Sequence, residues 1–389
     1  MQYKGPHLVQ LLSSGEELFE SMCDAMAQAQ SEIWMATYIF NDDAASWKVA
    51  QALAQAAARG IKVHVLVDGF GSKATLDTLR QWWQGTTVRL EVFRPLDRWW
   101  AWLQPGQLRR MHQKLCAVDG TTAFVGGINI IDDMHTPNQV PPRFDYAVRV
   151  EGPLLAPIHA AVVNLWTLVM WTQFRRRGAV TPLEPQVEPC GTRRGAFVVR
   201  DNLRHRNDIE SAYLEAIGKA RSHVLIGSAY FFPGKSFRRA LADAAWRGVR
   251  VVLLLQGRVE YLLLHYASRA LYRYFLDAGV EIHEYHRSFL HAKVAVIDDR
   301  WATVGSSNID PMSLLLAREA NVLIDDADFA RELRVSLNEA IETGAQPVLR
   351  ARWEQQSHTL PMRVMTWLCY GLVRFLSGWS SYGRAREFQ

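Results

Sequence analysis

Lysine is scarce in this 389-residue chain: only eight of its 44 basic residues are lysine, which leaves 36 arginines. Arginine's planar fork holds phosphate bidentately, so the bias points to anionic partners. Cysteine is scarcer still. Cys23, Cys116, Cys190 and Cys369 show no paired spacing, which excludes a zinc cluster or a disulfide framework and fits a reducing compartment. The opening residues, Met1 to His7, lack the apolar core of a signal peptide. No charge-free run is read as reaching the roughly 18 residues of a spanning helix, so no bilayer crossing is expected. A hydrophobic fraction of 49% and a net charge of +5 describe a folded, mildly basic protein long enough for two domains.

One cluster of residues is present twice. His112, Lys114 and Asp119 precede Gly126 and Asn129; His291, Lys293 and Asp298 precede Gly305 and Asn308 with the same internal spacing. Two matched copies make coincidence a poor account and imply two half-sites of one centre. Each copy lies on apolar, β-rich text that reads as strand, tight turn, strand, so each His shares a strand face with its Lys. Gly126-Gly127 and Gly305-Ser306 break the chain beyond the second strand. Small residues there would let backbone approach a ligand, and the amides of Asn129 and Asn308 could donate to its oxygens. Gly127, Ser306, Asn129 and Asn308 are therefore expected to bind phosphate.

This grouping suits phosphoryl chemistry. Lysine and asparagine donors hold a phosphodiester's charge, one imidazole attacks phosphorus, and the other protonates the leaving alkoxide. The scheme uses neither metal nor other cofactor. Asp132, Asp133 and His135, which could be read as a metal cluster, are taken as a solvated loop.

The paired motifs resemble those of the phospholipase D superfamily, whose members carry His-Lys-Asp motifs in two homologous lobes. The resemblance covers nearly the whole chain. It implies a carboxylate for each His downstream of its motif, at Asp145 and Glu319, and structural rather than catalytic roles for Asp119 and Asp298. Within the superfamily the text is most similar to bacterial cardiolipin synthases of the shorter type, without an N-terminal transmembrane hairpin. Arg110-Met-His-Gln-Lys114, Asp145-Tyr-Ala-Val-Arg-Val-Glu-Gly-Pro153 and Val304-Gly-Ser-Ser-Asn-Ile-Asp-Pro311 carry that likeness. Ala317 departs from it, since relatives usually have Asn there.

What the resemblance implies is transfer of a phosphatidyl group between phospholipids, with phosphatidylglycerol as donor and acceptor and a phosphatidyl-histidine intermediate. His112 would attack and His291 serve as acid and base. The alternatives are a hydrolytic phospholipase D or phosphodiesterase, a nuclease of the same superfamily, and a lipid-binding scaffold without activity.

The repeat extends to Ala36–Phe40 against Ser228–Phe232 and Ala58–Asp68 against Trp246–Gln256. The expected fold is α/β: two homologous lobes related by a pseudo-twofold, the site at their interface, and a C-terminal amphipathic helix. The expected divisions are 1–180, 181–345 and 346–389, with Thr181 to Pro189 as linker. In the tail, helical winding gathers Arg363, Thr366, Tyr370, Arg374 and Ser377 on one face, opposite Trp367, Leu368, Leu372 and Trp379. With Trp99, Trp100 and Trp102 this reads as a surface for anionic phospholipid. Aromatics in dense apolar patches do not suit a nucleic-acid reader. The expected location is peripheral, on the cytoplasmic face of the inner membrane, with homo-oligomers allowed.

Overall fold

In the computed structural model the residues described are 3–95, 109–172, 181–201, 205–310, 317–351, 365–366 and 368–373. The first lobe runs β1 (Lys4–Leu12), α1 (Gly15–Gln28), β2 (Glu32–Thr37), α2 (Ala44–Ala58), β3 (Lys62–Asp68), α3 (Leu76–Trp82) and β4 (Arg89–Phe93). A short β5 (Arg110–Met111) leads into the motif hairpin β6 (Leu115–Val118) and β7 (Thr122–Gly126), then β8 (Arg143–Phe144), β9 (Ala147–Glu151) and α4 (Leu155–Thr172).

The second lobe repeats this order. It comprises β10 (Arg193–Arg200), α5 (Asp208–Lys219), β11 (His223–Ser228), α6 (Lys235–Trp246), β12 (Arg250–Gln256), α7 (Leu262–Arg269), α8 (Tyr272–Asp277) and β13 (Glu281–Tyr285). Then come β14 (Phe289–Leu290), the hairpin β15 (Lys293–Ile297) and β16 (Trp301–Gly305), β17 (Ala317–Asp325), α9 (Ala327–Gly344) and β18 (Ala345–Pro347), so this sheet runs two residues past 345.

Local chemistry sets these boundaries. Ser14, Asp43 and Asp326 cap α1, α2 and α9 by accepting from the backbone N–H of Glu17, Ser46 and Phe329. Gly60 and Gly248, in the two Arg-Gly pairs, stop α2 and α6 in the left-handed region at φ 91° and 87°, which a side chain would strain.

Strand order is β4-β3-β2-β6-β7-β9-β1 in one lobe and β13-β12-β11-β15-β16-β17-β10 in the other, and antiparallel pairing of β1 with β10 joins them into one sheet. The matching orders express the expected pseudo-twofold. Strands alternate between two cores. In β2, Ile33 and Met35 pack under α1 and α2, whereas Trp34 and Ala36 face a core shared by both lobes and filled by α4 and α9. In β12, Val251, Leu253 and Leu255 face α5 to α8, and Val252 and Leu254 face the shared core. With both faces covered, the strands need the near-continuous apolar runs that the sequence shows.

Two expectations need correction. Ala36 lies opposite Leu115 and Gly227 opposite Val294, at corresponding points of the motif hairpins, so Ala36 is equivalent to Gly227 and Tyr38 to Ala229, not to Tyr230. The hydroxyls of Thr37 and Ser228 make the same local turn, each donating to the carbonyl two residues on. Repeated Tyr and Phe letters had pulled the alignment one residue out. Secondly, α4 holds no Asp, Glu, Lys or Arg over 18 residues and is long and apolar enough to cross a membrane. Here Leu155, Ile158, Val162, Leu165 and Val169 bury one side of it in the shared core.

Candidate active site

The motif strands end against the opposite lobe. β5 runs parallel with the start of β17, Met111 opposite Arg318, and the N–H of His112 donates to the Arg318 carbonyl at 3.0 Å. Symmetrically, β14 runs parallel with β8, Leu290 opposite Phe144, and the N–H of His291 donates to the Phe144 carbonyl at 2.8 Å. One residue further along each ladder, the carboxylate and the imidazole meet. His112 Nδ1 lies 3.1 Å from Glu319 Oε2 and His291 Nδ1 lies 2.6 Å from Asp145 Oδ2. Each carboxylate thus holds the histidine of the other lobe. The sequence reading set each downstream of its own motif without seeing this exchange, which the parallel ladders across the interface impose.

Burial pushes both carboxylates up, but the charges around them win. His112, Lys114 and Ser306 hold Glu319 below its ordinary range, and Lys293 and His291 do the same for Asp145. An ionised carboxylate only accepts, so each ring donates Nδ1–H and keeps its Nε2 lone pair. Burial also lowers both histidines, His291 to about 3, with Lys293 adding repulsion against the pull of Asp145. Both rings are therefore neutral in the empty site at neutral pH. Lys293 acts on His112, and Asp145 and Lys293 act on Lys114, so the two half-sites share one electrostatic centre.

Lys114 Nζ donates to the His112 carbonyl at 2.7 Å and lies 5.4 Å over the Tyr38 ring, whose edge also meets the His112 imidazole. Lys293 Nζ lies 2.8 Å from His291 Nδ1, 3.5 Å from Asp145 Oδ2 and in contact with the His291 carbonyl.

The residues after the hairpins divide by lobe. Ser306 Oγ donates to Glu319 Oε2 at 2.5 Å and accepts from the Ala320 N–H, which makes it a brace for the carboxylate rather than a phosphate donor. Gly127, its counterpart, leaves room for the other carboxylate: a Cβ there would sit 2.4 Å from Asp145 Oδ1. The closely approaching group is thus a protein side chain, where a ligand was expected. Asn129 and Asn308 are buried beyond these turns, and Asn129 Oδ1 accepts from the Ile39 N–H at 3.2 Å.

Asp119 and Asp298, both at left-handed φ, accept backbone N–H groups from residues 30–32 and 221–223. They tie each hairpin turn to the helix–strand connection beside it. Asp133 accepts from the Gly15 N–H at 2.7 Å, and burial lifts it to about 6. Trp99, Trp100, Trp102, Arg363, Trp367, Arg374 and Trp379 lie outside the described residues.

The geometry adds residues that the motif reading passed over. Asp68, fully buried at the end of β3, accepts from the N–H of Met111 at 2.8 Å and of Phe70 and Gly71, so it holds the strand that presents His112. Arg143, on β8, lies over the Phe289 ring and close enough to Asp133 and Asp145 to be influenced by both. Neither carries a motif signature.

Comparisons with known proteins place the chain in a family. The family described as cardiolipin synthase, PLD-like domain, matches residues 22–139 and 213–341, one segment in each lobe. The chain belongs to that family. Among its relatives, Cardiolipin synthase B of Escherichia coli (strain K12) is 39% identical over 340 residues, covering 87% of this chain and 82% of the relative. The Major cardiolipin synthase ClsA of Bacillus subtilis (strain 168) is 29% identical over 335 residues, covering 84% and 67%. The same fold is seen in the phosphatidylserine synthase of Haemophilus influenzae, at a TM-score of 0.70 and 14% identity over 95% of this chain and 93% of that one. The cardiolipin synthase family thus accounts for both lobes and for the phospholipase D-like architecture that joins them.

Proposed function

We propose that this chain is a phosphatidyltransferase that makes cardiolipin from phosphatidylglycerol. The observation that carries the reading is the crossed pair of imidazole and carboxylate dyads, His112 with Glu319 and His291 with Asp145, around two buried lysines. Family membership and the likeness to two cardiolipin synthases support it.

The steps follow from the tautomers. His112 Nε2 attacks phosphorus and the bond to the headgroup oxygen breaks. His291, protonated at Nε2 once the bound anion offsets Lys293, gives that proton to the departing alkoxide. The phosphatidyl group is then carried on His112. A hydroxyl of a second lipid passes its proton to His291 as its oxygen joins phosphorus, the phosphorus–nitrogen bond breaks, and both rings return to their starting state. Lys114 and Lys293 hold the equatorial oxygens throughout.

A peripheral seat on the inner membrane belongs to the same reading. In the tail, Cys369 and Val373 pack into the second lobe and Tyr370 meets Phe232, while Met365, Leu368 and Leu372 are 50%, 65% and 48% exposed. That outward apolar face fits a lipid boundary.

Labelled phosphatidylglycerol tests the function. The wild type is expected to give cardiolipin and glycerol, and His112→Ala and His291→Ala to lose at least about 10³-fold in kcat. Phosphatidic acid as the sole product would mean hydrolysis, and cardiolipin from His112→Ala would remove the mechanism.

A further inference from the structure

The pseudo-twofold also fails beside the centre, at the stretches that follow β2 and β11. In the first lobe, the turn after β3 packs directly on Tyr38 to Phe40: Ser72 Oγ donates to the Tyr38 carbonyl and accepts from the Phe40 N–H, and a Cβ on Gly71 would lie 2.3 Å from the Tyr38 oxygen. In the second lobe the equivalent stretch, Ala229 to Phe231, faces a small cleft bounded by the end of β12 and by α7. Its polar lining includes Tyr230, Gln256, Arg258, Glu260, His265 and Ser268.

The cleft adjoins the reacting groups. The Ala229 N–H donates to the carbonyl of Ala292, between His291 and Lys293. The Tyr230 hydroxyl donates to Glu260, whose carboxyl burial pushes up while that hydrogen bond, Lys293 and Arg143 pull it back down. Gln139 Nε2 of the first lobe donates to the Val259 carbonyl, which fixes this wall against the opposite lobe. Tyr261, 59% exposed, lines the mouth of the cleft, and Val259 and Leu262 beside it are 43% and 65% exposed, a largely apolar rim.

We propose that this cleft is the alcohol subsite, which takes the polyhydroxyl headgroup of the acceptor lipid, with Glu260 and Tyr230 selecting adjacent hydroxyls. The inference rests on the transfer reading above. In that reading one imidazole protonates the leaving alkoxide and deprotonates the incoming hydroxyl, so both alcohols bind on its side of phosphorus, away from the nucleophile. The cleft belongs to the lobe of His291 and is tied by Ala229 to Ala292 beside that ring, in keeping with His112 as the attacking ring. A carboxylate accepts two hydroxyls at once and repels phosphate, which leaves the phosphoryl group to the lysines. The apolar rim suits an acceptor whose acyl chains remain in the membrane.

The test is an internal competition with the full chain in mixed micelles of phosphatidylglycerol. Deuterated glycerol and 1-propanol are supplied at equal molarity, and mass spectrometry counts labelled phosphatidylglycerol against phosphatidylpropanol. The product ratio does not depend on how much enzyme is folded. Wild type is expected to favour glycerol, and Glu260→Ala to lower the ratio about tenfold, the effect of losing a charged hydrogen-bond acceptor. A drop of less than about threefold overturns the subsite. Should Glu260→Ala yield neither product, Tyr230→Phe decides by the same threshold. Wild type giving phosphatidic acid alone would instead show that transfer itself fails, and the subsite with it.

Discussion

Lys114 shows how far the tertiary setting moves one side chain. Burial first, then repulsion from Lys293, brings its ammonium down to about 7 although Glu319, Asp145 and Asp68 pull the other way. In the empty site the amine is charged below that point and neutral above it, and only the charged form holds an anion. Affinity for a phosphodiester is therefore full below about pH 7 and is lost as pH rises through it. Diethyl phosphate, whose single charge does not titrate in this range, should inhibit with a constant that rises roughly tenfold per pH unit above the lysine pKa. Lys114→Met should bind it weakly and without that alkaline limb. A flat profile from pH 6 to 9 in the wild type would show that Lys114 keeps its proton. The lysine was legible in the repeat. Its altered basicity was not, because it comes from neighbours far away in the chain.

Short elements do the positioning. β5, β8 and β14 are two residues each, yet the ladders β5–β17 and β14–β8 set which carboxylate meets which imidazole. Strands this short have no periodicity to read, so the sequence placed the hairpins and the longer helices and strands but not these clamps. Ala317 lies on one of them, opposite Arg110, where its small side chain is buried at the lobe junction. Gly127→Ala probes the other. Its methyl would meet both Asp145 oxygens, so Asp145 must move away from His291. The expected result is a kcat about 10²-fold lower with a stability loss of roughly 1–3 kcal/mol by thermal unfolding. Gly218→Ala, exposed near the end of α5 with nothing near its new methyl, should leave kcat unchanged and gain up to about 1 kcal/mol. Equal activity loss in both variants would point to a general folding defect instead.

The whole molecule presents two lobes, one centre and an apolar tail face. Leu368→Asp with Leu372→Asp should weaken binding to phosphatidylglycerol vesicles by roughly tenfold or more in a flotation assay, because two exposed leucines lose their lipid burial. Turnover of a short-chain, micelle-free substrate should stay within about twofold, because these side chains point away from the second lobe. Unchanged vesicle binding would move the membrane contact elsewhere, for instance to the tryptophan-rich stretch around residue 100. By itself the sequence determined the duplication, the inventory of His, Lys and Asn and the α/β class, all of which depend on spacing within about 20 residues, while the bracing role of Asp119 and Asp298 came from the family resemblance. It misplaced the Tyr38 repeat by one position and passed over α4 as a long uncharged helix, because letter similarity does not report ladder register and composition does not report where a helix packs. Only the tertiary structure decided that Glu319 serves His112 and Asp145 serves His291. A pseudo-twofold interface brings together groups 207 and 146 residues apart, and no local pattern encodes which side of that interface each strand will cross.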